Sequence, residues 1–327
     1  MRAGWYEKQG PADEVIQIGE VETPEAGPGE VRVRMHASGV NPSDIKNRSG
    51  FRGPMKFPRI VPHSDGAGVI DQAGDGVDAS RVGERVWVYN GQWDRPFGTC
   101  AEYIALPAEQ TVRLHPDIGF DEGACLGIPG MTAHRAVFAD GPVEGKTVLV
   151  TGGAGAVGHY GVQLAKWGGA TVITTVSSDE KAAPAREAGA DHVVNYRTED
   201  VAERVRALTG GEGVDRIVDV DFGGNLSASL KVLKNNGIIA TYASMGEMEP
   251  AFPFYPFMFL NTTIRQMFLY TMPDEAKRQA CEDIVRAVED GSLTYPIAAR
   301  FPLDRLAAAH EAVESESHIG NIVVTID

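Results

Sequence analysis

The sequence predicts an α/β protein in two parts, a β-rich first part and then a doubly wound parallel sheet with helices on both faces. Three observations carry this reading. The first hundred residues read as short period-2 strands cut by Gly and Asp turns. From about Ile128, strand and helix segments alternate, the pattern of a parallel sheet. Where that alternation begins, "KTVLVTGGAGAVGHYGVQLAK" (Lys146–Lys166) packs five glycines into ten residues, Gly152 to Gly161, between an apolar run and an amphipathic one.

In the first part, "EVRVRMHASGV" alternates Val31, Val33, Met35 and Ala37 against polar neighbours. "DGAGVIDQAGDGV" and "VGERVWVYN" repeat the pattern. The second part offers strand 147–151, helix 157–167, strand 170–176, a helix toward Ala188 and strand "HVVNY". Next come helix 199–208, strand "DRIVDV", helix 225–234 and strand "GIIATYA". After about Asn261 the texture changes to one helix near 274–290 and a final pair, "LDRLAAAHEAVES" and "NIVVTID". That last strand is expected to return to the first part. The expected boundaries are therefore 1–123, 124–261 and 262–327.

The glycine stretch carries the chemistry. Val148, Leu149 and Val150 mark a buried strand. Val157, Gly161, Leu164 and Ala165 fall on one face of a helix. Between them, Gly153, Gly155 and Gly158 fit G-x-G-x-x-G in the strand–turn–helix setting the motif requires. The first glycine is expected to permit the tight turn, the second to let a pyrophosphate approach, and the third to let helix pack on strand. Free N–H groups at the helix start attract phosphate.

Composition narrows the rest. The 327 residues carry a formal charge of −15 (30 basic, 45 acidic), which argues against a nucleic-acid or anionic-membrane surface. Three dispersed cysteines, Cys100, Cys125 and Cys281, suit a reducing cytoplasm. No stretch of transmembrane length and no N-terminal apolar targeting segment is visible.

The motifs "GVNPSDIKNRSG", "HSDGAGVI", "VGERVWV", "GMTAHRAV", "TGGAGAVG", "EAGADHVVNYR" and "GNIVVTID" together resemble the medium-chain dehydrogenase/reductase superfamily. Within it they resemble the zinc-independent, zeta-crystallin-like quinone oxidoreductases. The resemblance spans nearly the whole chain. It implies a GroES-like catalytic domain split around a Rossmann domain, an active site in the cleft between them, and a homodimer.

The zinc of the alcohol-dehydrogenase relatives is not expected. By this resemblance, their ligand positions hold Asn41, Ser64 and Gly130, and "YNGQWDRPFGTC" offers only Cys100 toward a structural site. His63 stands one step out of register and reads as a loop histidine.

For the cofactor, the position of the acid that binds a ribose 2′-OH is Val176, followed by Ser177 and Ser178. With Lys181 and Tyr196 this resembles the NADPH pattern of the quinone reductases. A second reading of Ser177–Glu180 is an S-x-x-E capping box, and Asp179 is a nearby carboxylate. By resemblance, Thr132, the turn Gly153–Gly158 with Ala154, Ala156 and Val157, Asn225, Tyr242, Ala243, Ser244, Met245, Phe268 and Leu269 also contact the cofactor. Asn41 and Lys46 are placed near the nicotinamide, Lys46 standing where a tyrosine is common. The role of Asn321 is open.

A hydride donor without metal needs an acceptor that is already electrophilic. The expected activity is therefore NADPH-dependent reduction of quinones, with enones or other activated alkenes as the alternative. A dinucleotide-loaded structural role, as in lens crystallins, is the alternative of another class. Asn41 is the candidate catalytic residue, its amide N–H polarising a carbonyl oxygen; it reads equally as a turn residue in "VNPSD". Asp44 is expected to cap the next helix. The aromatic run "FPFYPFMFL" (Phe252–Leu260) reads as pocket wall, crossover packing or dimer seam.

Overall fold

The computed structural model describes residues 1–315 and 318–326; Asp327, the last residue of "GNIVVTID", lies outside them. The chain divides into two compact units, Met1–Ile128 with Tyr295–Asp327, and Pro129–Thr294. The divisions fall at 128 and 294, where the sequence suggested 123 and 261. The physical reason lies in Thr263–Gln266, which extends the second unit's sheet by pairing parallel with Leu233–Thr241. The helix Asp274–Glu289 follows it in the same unit.

The first unit is built on a seven-stranded, mostly antiparallel sheet. Its centre is Glu30–Val40, which pairs antiparallel with Asp65–Ala73 along one edge. The final strand, Asn321–Thr325, does return to this unit and pairs with the end of Glu30–Val40. The period-2 pattern has its expected meaning here: Val31, Val33, Met35 and Ala37 are buried. Val31, Val33 and Met35 pack with Val86, Ile104, Leu306 and Val324 in one apolar core.

The second unit holds six parallel strands. Their order is His192–Asn195, Thr171–Val176, Thr147–Val150, Val214–Asp219, Leu233–Thr241 and Thr263–Gln266. The central strand Thr147–Val150 reads as an apolar run, with Val148, Leu149 and Val150 buried, because both its faces are covered. The chain winds outward from Thr147–Val150 in one direction, then returns to start the other half at Val214–Asp219. The switch in winding lies between these two strands.

Candidate functional site

In a parallel sheet all strands end at the same edge. Every candidate cofactor residue of the second unit except Thr132 lies just beyond one of these carboxyl ends. Gly153–Gly158 follow the first strand, Ser177, Ser178 and Lys181 the second, and Tyr196 the third. Asn225 follows the fourth, Tyr242–Met245 the fifth, and Phe268 and Leu269 the sixth. That edge, at the winding switch, is where open α/β sheets bind ligands. Thr132 sits instead on the helix Ile128–Phe138, 8% exposed.

The glycine turn divides its work differently from the sequence expectation. The residue that needs the left-handed backbone is Gly152, at φ +70°. Its N–H reaches the Thr175 hydroxyl at 3.1 Å. At Gly153 a Cβ would collide with Thr174 Oγ1, so this glycine is required by packing and not by the turn. At Gly158 a Cβ would strike the carbonyl oxygen of Gly152, so it lets the helix close on the turn. Gly155 is the N-cap of the helix Ala156–Trp167, and its N–H bonds Gly152 O at 2.9 Å. No side chain caps this helix start. A phosphate has N–H donors to meet there.

Around the second strand's end, Val176 is buried and carries no charge. The cap of the helix Asp179–Glu187 is Ser178, whose hydroxyl accepts the Lys181 N–H at 3.3 Å. This corrects the capping box read at Ser177–Glu180 by one residue. Asp179 is engaged by the Asn195 amide at 3.3 Å. Tyr196 is 49% exposed, and its N–H closes on Val176 O at 3.1 Å. At the fourth and fifth strands, the buried Asp219 carboxylate accepts from Asn225 Nδ2 at 2.8 Å and from Thr151 Oγ1 at 3.0 Å. Burial pushes its pKa up. Ser244 Oγ receives the Gly223 N–H at 2.9 Å, tying the segment after the fifth strand to the start of the helix Phe222–Val232. Phe268 is 42% exposed and Leu269 is buried.

The other candidate group lies in the first unit. Asn41 is the N-cap of the helix Pro42–Arg48 and is 6% exposed. Its side-chain Nδ2 donates to Asp65 Oδ2 at 2.8 Å, and its backbone N–H donates to Asp44 Oδ2 at 2.8 Å. Asp44 thus sits inside the helix at its third position, accepting the Asn41 N–H while its own N–H donates to the Asn41 backbone carbonyl at 2.9 Å. Burial pushes the Asp44 carboxyl up to about 7. Lys46, one turn on, lies over the Phe51 ring at 5.4 Å. Asn321 is occupied with Pro296 O, to which its Nδ2 donates at 3.1 Å.

A histidine network here was not legible in the sequence. His63 is fully buried at φ +74°, its Nδ1 2.8 Å from Ser38 Oγ and its Nε2 2.9 Å from His310 Nε2. Arg48 Nε donates to His310 Nδ1 at 3.3 Å. Thr99 Oγ1 donates to Asp65 O at 2.6 Å and lies 2.7 Å from Ser38 Oγ. These ends fix the protons: His310 donates to His63, His63 to Ser38, Ser38 to Thr99. Both imidazoles are then neutral, in keeping with burial holding His63 down at about 3. His63 is a loop residue, as expected, but a buried structural one.

The donors present do not fit zinc. Asn41 offers an amide N–H to Asp65, and both His63 nitrogens are engaged. Burial pushes the thiols of Cys100, Cys125 and Cys281 up, away from thiolate. Among the described residues no three His, Cys, Asp or Glu are grouped to hold a metal ion.

Known proteins fit this geometry over its full length. Residues 27–117 match the alcohol dehydrogenase GroES-like domain family, and residues 156–286 match the family described as zinc-binding dehydrogenase. A 2-haloacrylate reductase of Burkholderia sp is 34% identical, over 99% of this chain and 98% of its own. The quinone oxidoreductase of Rattus norvegicus is 31% identical, over 98% and 96%. The structure of Escherichia coli quinone oxidoreductase complexed with NADPH superimposes with a TM-score of 0.87, at 25% identity over 100% of both chains. The chain belongs to the quinone oxidoreductase family of the medium-chain dehydrogenase/reductase superfamily, and is an oxidoreductase.

Proposed function

We propose that the protein is an NADPH-dependent, metal-independent reductase of quinones. The observation that carries this is the uncapped helix start at Gly155, at the winding switch of a sheet whose other strand ends present the remaining candidate residues. Bound NADPH supplies a hydride. The turn Gly152–Gly158 holds the pyrophosphate. Ser177, Ser178, Lys181 and Tyr196 surround the 2′-phosphate, with no carboxylate at Val176 to repel it. Thr132, Asn225, Tyr242–Met245, Phe268 and Leu269 line the rest of the cofactor, and Lys46 flanks it near Asn41. Asn41 donates its amide N–H to the acceptor oxygen as negative charge builds there.

The similarity to a 2-haloacrylate reductase favours a second reading, in which the acceptor is an activated alkene polarised through a carbonyl group. The same Asn41 donor serves both. The deciding experiment follows NADPH absorbance on adding a simple quinone, then an enone, then 2-chloroacrylate, with EDTA present throughout. Turnover of at least one, unaffected by chelator, is expected. Brisk oxidation of ethanol or isopropanol with all three inert would overturn the assignment, and one zinc per dialysed chain would overturn metal independence.

The protein is further read as a cytoplasmic homodimer. No described helix is long and apolar enough to cross a membrane, and all three cysteines are free and buried. The strand Thr263–Gln266 and the aromatic run beside it form the proposed seam.

A further inference from the structure

Asn41 is held at both ends by buried carboxyls. Asp44 takes its backbone N–H, and Asp65 Oδ2 takes its side-chain Nδ2–H, each at 2.8 Å. The two ends of a primary amide are almost the same shape, so its neighbours decide which end points where. Asp65 makes that decision here. Its Oδ2 already accepts the Ile128 N–H at 2.8 Å, and its Oδ1 lies 2.9 Å from the same nitrogen. The carboxyl group is therefore locked before it meets Asn41. It faces the NH₂ end of the amide and fixes Oδ1 on the opposite side.

The fold makes room for this lock. A Cβ at Gly127 would land on Asp65 Oδ1, and a Cβ at Gly39 would strike Ala124 O and sit 3.3 Å from Asp65 Cβ. The loop leading into Asp65 is pinned in turn, because His63 and Ser38 end on Thr99, which donates to Asp65 O. None of this is needed to make a turn at "VNPSD", since Asn, Pro and Asp form such turns on exposed surfaces.

We infer that Asp65 is the positioning residue for Asn41, fixing the amide so that its second N–H is the one presented to the acceptor oxygen. The inference rests on the proposed role of Asn41. Without Asp65 the amide is free to flip or swing, and a displacement of about 1 Å lowers turnover by roughly 100-fold.

The test is a double-mutant cycle on the full chain, reading kcat, KM and NADPH affinity. Asn41→Ala and Asp65→Ala are each expected to lower kcat by roughly 10- to 100-fold. NADPH affinity should stay within about threefold, because neither side chain acts through the cofactor's binding energy. The double variant should be no slower than the worse single one. Asp65→Asn keeps an acceptor oxygen and should restore most of the rate. Should Asp65→Ala unfold, Gly127→Ala takes its place, since it displaces the carboxyl without removing it. If the Asp65 loss multiplies with that of Asn41, or if a folded Asp65→Ala turns over at the normal rate, positioning is refuted and the role of Asn41 stands. If Asn41→Ala leaves kcat unchanged, the reading of Asn41 falls and this inference falls with it.

Discussion

At the residue scale, the glycines and the lysine beside them make opposite demands. Gly158 has no room for a methyl group, because the Gly152 carbonyl oxygen lies where a Cβ would go. Gly158→Ala should push the helix Ala156–Trp167 off the turn and cost about 1–3 kcal/mol of stability. NADPH affinity should fall with it, as calorimetric titration and thermal melting would register. Gly155→Ala meets only Gly152 O, at 3.3 Å, so it should fold nearly normally and lose mainly cofactor affinity. A Gly158→Ala protein with unchanged melting would contradict the packing argument. Lys181 is proposed to act through charge alone. Its backbone N–H is used by Ser178, whereas the ammonium is proposed to face the 2′-phosphate. Lys181→Ala should therefore weaken NADPH by about 10- to 150-fold, equivalent to about 1.5–3 kcal/mol, and leave NADH nearly unchanged. Equal weakening of both cofactors would remove Lys181 from the phosphate pocket.

At the element scale, the helix Pro42–Arg48 carries a buried acid at its third position. Asp44 is 2% exposed, its Oδ2 bonds Asn41, and its Oδ1 is buried with no hydrogen-bond partner among the described residues. Burial is the main cause that raises its pKa from 3.8 to about 7, with the Asn41 hydrogen bond and Arg52 pulling the other way. Between pH 3.8 and about 7 the folded chain holds a proton that the unfolded chain releases. This group's contribution to stability is then full below that window and lost as pH rises through it. Asp44→Asn keeps an oxygen for Asn41 and cannot ionise. Urea unfolding at several pH values should find the variant's stability falling less steeply, by about 1.4 kcal/mol per pH unit. Identical slopes would mean that Asp44 is ionised throughout. The order of elements was legible because period-2 and helical periodicities differ and glycines punctuate them. The strand-end candidates were legible for the same reason, since a parallel sheet sends every strand's carboxyl end to one edge. Contacts such as Asp65–Asn41 and His63–His310 were not. They join positions 24 and 247 residues apart, and local patterning carries no record of such pairs. The boundary at 294 was missed for a related reason, because Thr263–Gln266 is too short and polar to read as a sheet strand.

At the scale of the whole molecule, the sixth strand poses the remaining question. Thr263–Gln266 is the edge of its sheet, pairing with Leu233–Thr241 on one side. Beside it, the helix Phe254–Phe259 buries Phe257 but turns Phe254, Tyr255 and Phe259 outward, at 59%, 65% and 75% exposure. An open edge next to a contiguous aromatic face is a liability in a lone chain. In the proposed homodimer a second copy related by a two-fold axis would cover both at once, the two edge strands pairing antiparallel and the two aromatic faces meeting. Such a seam would be isologous, so one substitution would act twice. Phe259 on each chain contributes about 1.5–3 kcal/mol when buried, so Phe259→Asp should remove at least about 3 kcal/mol per dimer. That corresponds to more than roughly 100-fold in dimer Kd. Sedimentation equilibrium should give the wild type a mass near twice 35.0 kDa, and the variant should dissociate at low micromolar concentration. The glycine turn and the strand ends belong to each chain separately, so the dissociated variant should still bind NADPH. A wild type that sediments as a monomer across the same range would end the homodimer reading, and a Phe259→Asp dimer of unchanged affinity would move the seam elsewhere.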